Sequence, residues 1–300
     1  MINNTTPNHP NYPPPVIILL TFITCLFGGL LGGGILFGIA AAQGMEITQL
    51  IGGLSEESTL GERNAVRFYT MINHLTTFVL PALFAAWFLF RKEMWQWLKM
   101  HVTPQSTKVI AGAALMVAAF PLVQLSLWLN QQLPLPEWMM TMENDTGDMI
   151  KGLLVMDSPV ELLFNLLIIA VLPGLGEELV FRGLIQQSFR KWFGNPHVAI
   201  WVTAFIFSAI HFQFAGFLPR MILGALLGYL FYWTNNLWVP IVAHFVTNGL
   251  QVIGAFAAKD LLGDLEQAEV EPNWLAAAVS VVLVTLIVRY FTNKNNANYA

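Results

Sequence analysis

Val16–Ala42 is an unbroken run of 27 residues without a charged side chain. As a helix it would extend about 40 Å, which exceeds the roughly 30 Å hydrocarbon core of a bilayer. It is too long for a signal-peptide core and no basic stretch precedes it. It therefore reads as a retained transmembrane helix. Seven more apolar runs follow: about Phe68–Phe90, Val109–Leu129, a run from Val160 into Gly174–Arg182, Val198–Phe214, Phe217–Trp233, Trp238–Ala258 and Trp274–Phe291. Composition agrees, with 56% hydrophobic and only 11% charged residues in 300. An ordinary soluble domain carries roughly 25% charged residues. The expected fold class is all-α, a polytopic membrane helix bundle of about eight transmembrane helices bathed in membrane lipid. A net charge of -4 offers no basic footprint, so no nucleic-acid partner is expected. The single cysteine, Cys25, rules out an intramolecular disulfide and a cysteine-based zinc cluster.

The runs suggest an organisation. Residues 1–15 are polar and proline-rich, a disordered or extended tail. Residues 16–130 hold three spans, 131–159 form an acidic extramembrane loop, 160–258 form a core rich in intramembrane polar groups, and 259–300 hold a second acidic loop and the last span. Met45–Leu54 and Glu93–Met100 look amphipathic, the second with Trp95 and Trp97 at headgroup level. With a cytoplasmic N-terminus and eight alternating spans, eight basic residues fall inside: Arg91, Lys92, Lys99, Lys108, Arg190, Lys191, Arg289 and Lys294. Four fall outside: Arg63, Arg67, Lys151 and Lys259. The bias places both termini in the cytoplasm.

Ionisable groups inside spans cost a few kcal/mol each, so their positions are informative. Glu177, Glu178 and Arg182 lie in Gly174–Gly183. Adjacent helix positions differ by about 100°, so the two carboxylates face different ways. Glu178 and Arg182 are four apart and can pair, which leaves Glu177 without a local counter-charge. Such a carboxylate suits a general base or acid; two acids at the membrane surface is the plainer reading. His211 ends a run of aromatic and small residues, as a core histidine or a catalyst. His244 and Asn248 share a helix face, as donors to a cavity or as interhelical glue. Together, a carboxylate, two imidazoles and an amide on separate helices are the parts for activating water and holding an oxyanion, which is the chemistry of amide hydrolysis. Neither His-Glu-x-x-His nor Gly-x-Ser-x-Gly occurs. Asn73, His74, Gln124 and Ser126 read as packing or interface residues. Gly28–Gly34 and the Gly224/Gly228 step read as sites of close helix approach. Pro173, Gly174 and Gly176 are expected to loosen the helix before the glutamates.

The ordered set resembles the CPBP family of intramembrane proteases, which comprises type II CAAX prenyl endopeptidases and Abi-like bacterial proteins linked to bacteriocin processing and self-immunity. Glu177, Glu178 and Arg182 match its Glu-Glu-x-x-x-Arg motif, with a Phe-Arg-Gly extension at Phe181–Gly183. Phe207 and His211 match Phe-x-x-x-His, and His244 and Asn248 match His-x-x-x-Asn. The resemblance covers about Val160–Ala258. It implies an eight-helix membrane endopeptidase acting on a membrane-associated peptide or protein, lipidated in some members. It also implies that Glu177 and His211 activate water, that His244 and Asn248 hold the oxyanion, and that Glu178 and Arg182 position the site. A metal-dependent version would use Glu177, His211 and His244 as zinc ligands, leaving Glu178 as base. A metal-free version shares a proton between Glu177 and His211, and the asparagine favours it. Two other functions fit a polar cluster in a bundle: a catalytically silent membrane scaffold, and a proton-coupled transporter, although no inverted repeat is evident.

Overall fold

The computed structural model describes residues 12–44, 46, 51–258 and 271–297. Among them regular structure is entirely helical. Helix α1 spans Pro14–Ala42. Helix α2 (Leu60–His74) runs through a π-helical turn, Leu75–Val79, into α3 (Leu80–Phe90). Then come α4 (Ser106–Gln131) and α5 (Glu137–Leu154). Helix α6 (Pro159–Asn165) passes through π-helical Leu166–Val171 to α7 (Leu172–Glu178), and through π-helical Leu179–Gln186 to α8 (Gln187–Phe193). Helices α9 (Pro196–Ala209), α10 (Phe217–Thr234), α11 (Trp238–Ala257) and α12 (Trp274–Ala297) complete the bundle. Residues 1–11 of the N-terminal tail, residues 45 and 47–50 of the Met45–Leu54 segment, and residues 259–270 of the second acidic loop fall outside the described residues.

Seven of these helical stretches, against the eight expected, are long and apolar enough to cross a membrane. The difference is α9. Asn195 caps it by accepting from the His197 and Val198 amides, and it stops at Ala209 rather than near Phe214. Phe212 takes a left-handed conformation, φ 53°, which ends the helix. The Ser208 hydroxyl then donates to Phe217 O (2.7 Å) and ties the following loop back. Fourteen residues make a helix of about 21 Å, so His211 sits in a turn beyond the helix end.

Outward-facing residues on α1 and α12 are bulky and apolar, such as Leu26, Leu30, Phe37, Leu275 and Val282. Exposure on that scale marks a lipid-facing surface. The inward side packs Leu89, Phe90, Phe181, Leu184 and Leu237 into one core, and Leu115, Leu227, Leu230 and Val239 into another.

Three expectations change. The acidic segment before α6 is largely the helix α5. It lies across one end of the bundle: Glu143 accepts from the Ala215 amide (3.1 Å), and Trp138 meets Phe214 edge-on. Of the glycines in Gly28–Gly34, only Gly28, Gly29 and Gly32 face a neighbour, the π turn after α2, while Gly33 and Gly34 face open space. The backbone stays helical through Pro173 and Gly176. There Gly176 admits the π turn after α2, since a Cβ would lie 2.9 Å from Phe78 Cβ. The Gly224/Gly228 step is a close approach, as expected: it brings the α10 backbone to Arg182 and Gln186.

The N-terminal half is also more polar inside than its runs suggest. Arg63 and Arg67, counted above as outside charges, are 6% and 0% exposed. Arg67 donates to Glu161 (2.7 Å), Asn165 (2.9 Å) and Val155 O (2.6 Å). Arg63 donates to Glu161 (3.1 Å) and Asp157 (2.6 Å). Glu161 also accepts from the Asp157 amide (2.8 Å). The shared carboxylate clamps α2 to the start of α6.

Candidate active site

The site assembles where the two interrupted helices cross α9 and α11. Glu177 and Glu178 end α7, between two π-helical stretches. Extra residues in such turns are frequent at functional sites. Pro173 supplies one physical cause. It has no amide hydrogen to give Ile169 O, the carbonyl four residues back. Asn248 on α11 donates its side-chain amide to that carbonyl instead (2.9 Å). Asn248 thus holds the widened turn just before the glutamates, with one amide hydrogen still available.

The two carboxylates diverge as adjacent positions must. Glu178 is fully buried and accepts from Arg182 (2.7 Å), itself fully buried. Arg182 also donates to Gly224 O (2.6 Å) and stacks its guanidinium over Phe207, 5.1 Å from the ring centre. The second proton on Glu178 Oε1 comes from His244 Nδ1 (2.9 Å). A carboxylate held by arginine only accepts, so His244 carries its proton on Nδ1 and turns Nε2 toward Glu177.

Glu177, 5% exposed, is surrounded by imidazoles. His74 Nε2 lies 3.3 Å from Oε1, His211 Nε2 4.0 Å from Oε1 and His244 Nε2 3.9 Å from Oε2. His211 Nδ1 donates to Phe207 O (2.7 Å), which fixes that tautomer and leaves the Nε2 lone pair facing Glu177. Phe207 therefore has three jobs: its carbonyl orients His211, its face receives Arg182, and its ring edge packs on His211 and His244.

All six residues picked out by the sequence are placed around this point. Glu177, Glu178, Arg182, His211 and His244 meet directly, whereas Asn248 acts on the α7 backbone. His74 was missed. The signal was an ionisable side chain in an apolar run, but no partner was visible because Glu177 lies 103 positions away.

A zinc ion would need Glu177, His211 and His244 to converge on one point. They do not, since His211 approaches one carboxylate oxygen, which His74 already contacts, and His244 approaches the other. Among the described residues, no group of three or more His, Cys, Asp or Glu side chains is arranged to hold a metal ion.

This geometry sits within a recognisable segment. Residues 159–250 match the family described as Type II CAAX prenyl endopeptidase Rce1-like. All three motifs fall inside that match; His74 falls outside it. The chain is also 30% identical over 118 residues to the uncharacterized protein YpbD of Bacillus subtilis (strain 168). That alignment covers 38% of this chain and 56% of YpbD, so it spans about half of the relative's length. No solved structure matches the chain. The matched segment, about a third of the chain, is thus similar to the CAAX-type membrane protease family.

Proposed function

We propose that the protein hydrolyses a peptide bond of a membrane-associated or lipidated protein or peptide, using water activated at Glu177. The observation that supports this most is a buried carboxylate facing three imidazole nitrogens, two of which present lone pairs fixed by their other hydrogen bonds. Glu177, Glu178 and Arg182 together leave one negative charge, which a single proton shared among the imidazoles would balance.

In the proposed reaction Glu177 and His211 take a proton from water as its oxygen bonds to the scissile carbonyl carbon. The carbonyl oxygen gains the negative charge. It is met by His244 as an imidazolium, donating from Nε2 while Nδ1 stays on Glu178, and by the remaining amide hydrogen of Asn248. The C–N bond then breaks, and the proton held at Glu177 and His211 passes to the leaving nitrogen. The products are a carboxylate and an amine. Glu178 and Arg182 orient His244, and His74 orients Glu177. No step is routed through a metal, because the donors do not converge.

Bulky apolar helix faces and the family description make a lipid-bearing substrate the natural class. The basic bias favours a cytoplasmic location for both termini, an arrangement that needs the short α9 to cross the membrane as well. The test compares peptide termini in membranes containing wild type or Glu177→Ala at equal expression. Termini that vanish in the variant are expected and would name the substrate. Identical termini, with a wild-type phenotype for the variant, would favour a scaffold.

A further inference from the structure

Away from the catalytic cluster, at the end of the bundle where α8 meets the 98–102 connector, lies a cavity of about 470 Å³. Lys99, Arg190 and Lys191 line it together with Gln186, Gln187 and Tyr232. Among the described residues no carboxylate pairs with any of the three cations. Lys191 and Arg190 lie instead over the rings of Trp97 (3.9 Å) and Tyr232 (5.5 Å). Like charges gathered without an anion are costly, and here the fold gathers them deliberately. Lys99 is held in a left-handed conformation, φ 59°, with its carbonyl pinned by the Leu237 amide (3.1 Å). Burial, then repulsion from Arg190, hold the Lys99 ammonium below the ordinary lysine range.

Gln186 is closed off from a ligand: it is 5% exposed, its side-chain nitrogen donates to Gly228 O (3.0 Å), and its buried carbonyl oxygen packs against Gly228. The cavity therefore offers three cations to an anionic group. Tyr232 in its lining is a residue type of the membrane interface. Basic pockets between transmembrane helices at that level hold phospholipid head groups.

We propose that this cavity binds a phosphate group carried by an anionic phospholipid. Lys99, Arg190 and Lys191 hold the phosphate.

The full chain is reconstituted in nanodiscs of phosphatidylcholine with a minority of phosphatidylglycerol, and the lipids retained on release into detergent are counted by native mass spectrometry. Wild type should retain phosphatidylglycerol preferentially. Lys99→Gln with Arg190→Gln should lower the enrichment about 30-fold, at about five-fold per cation removed. The charge-preserving pair Lys99→Arg with Arg190→Lys should keep most of it, and Lys92→Gln, an exposed cation outside the cavity, should keep all of it. Melting in pure phosphatidylcholine discs checks folding; if the double variant does not fold, each single variant is read for its five-fold share. Equal enrichment in wild type and the charge-removing variants, or an equal loss with Lys92→Gln, would overturn the proposal. So would stabilisation of wild type by inorganic phosphate alone without lipid enrichment, which would assign the cavity to soluble phosphate.

Discussion

Gly28→Ala is a sharp test of how the first helix supports the site. A Cβ at Gly28 would overlap Thr76 O, a backbone atom of the π turn that directly follows His74, and would sit 2.7 Å from Pro81 Cγ. A Cβ at Gly32 would overlap Thr76 Oγ1, which is side chain. Gly33 faces nothing within 4 Å. The added methyl at Gly28 cannot be absorbed by a rotamer change, so α1 and the π turn must separate. Overpacking costs up to about 3 kcal/mol, and replacing a helical glycine by alanine returns about 1. The net loss should be about 2 kcal/mol in reversible unfolding in mixed micelles. Moving the π turn also moves His74 from Glu177, and a misplacement near 1 Å costs up to about 100-fold in rate. Gly33→Ala should lose neither stability nor rate. Thr76→Ala should partly rescue Gly32→Ala, whose closest clash is with the hydroxyl while the Thr76 Cβ at 2.9 Å remains, but not Gly28→Ala, whose clash is with a carbonyl. Equal behaviour of Gly28→Ala and Gly33→Ala would refute the reasoning.

Three further outcomes are expected. Arg67→Met leaves the buried Glu161 carboxylate with Arg63 as its remaining cation and leaves Asn165 Oδ1 and Val155 O without their donor, and should destabilise by about 3 kcal/mol in the same unfolding titration. His74→Ala should lower the cleavage rate at least about ten-fold while leaving the unfolding midpoint within about 0.5 kcal/mol of wild type; unchanged turnover would remove His74 from the site. Asn248→Ala leaves Ile169 O unpaired and should cost about 1–3 kcal/mol, and adding Pro173→Ala, which restores a backbone donor, should recover stability but not cleavage if the second amide hydrogen serves the oxyanion.

Much of this arrangement was legible in the sequence, for physical reasons. Long charge-free runs admit few folds besides membrane helices. The Glu178–Arg182 pairing follows from helical periodicity, and the divergence of Glu177 from Glu178 follows from it too. What depended on long-range contact was hidden. His74 and Glu177 come from helices far apart in sequence, as do Arg67 and Glu161, so the first half looked apolar while holding both a catalytic neighbour and an ionic clamp. The end of α9 was misplaced because Phe212, bulky and apolar, continues the hydrophobic run while its backbone turns left-handed. The proline and glycines before Glu177 suggested a loosened helix. Their actual effects are a freed carbonyl taken by Asn248 and a surface flat enough for α2 to approach.

The central claim is that Glu177 delivers water to a peptide carbonyl without a metal. It is tested most directly with purified protein, the substrate identified from membrane termini, and ¹⁸O-labelled water, with zinc measured on the same sample. The account predicts one labelled oxygen in each new carboxyl terminus, no stoichiometric zinc, undiminished cleavage after chelation, and loss of labelled product in a folded Glu177→Gln variant. Cleavage by Glu177→Gln at the wild-type rate, or activity that disappears with a stoichiometric metal and returns on its addition, would contradict it.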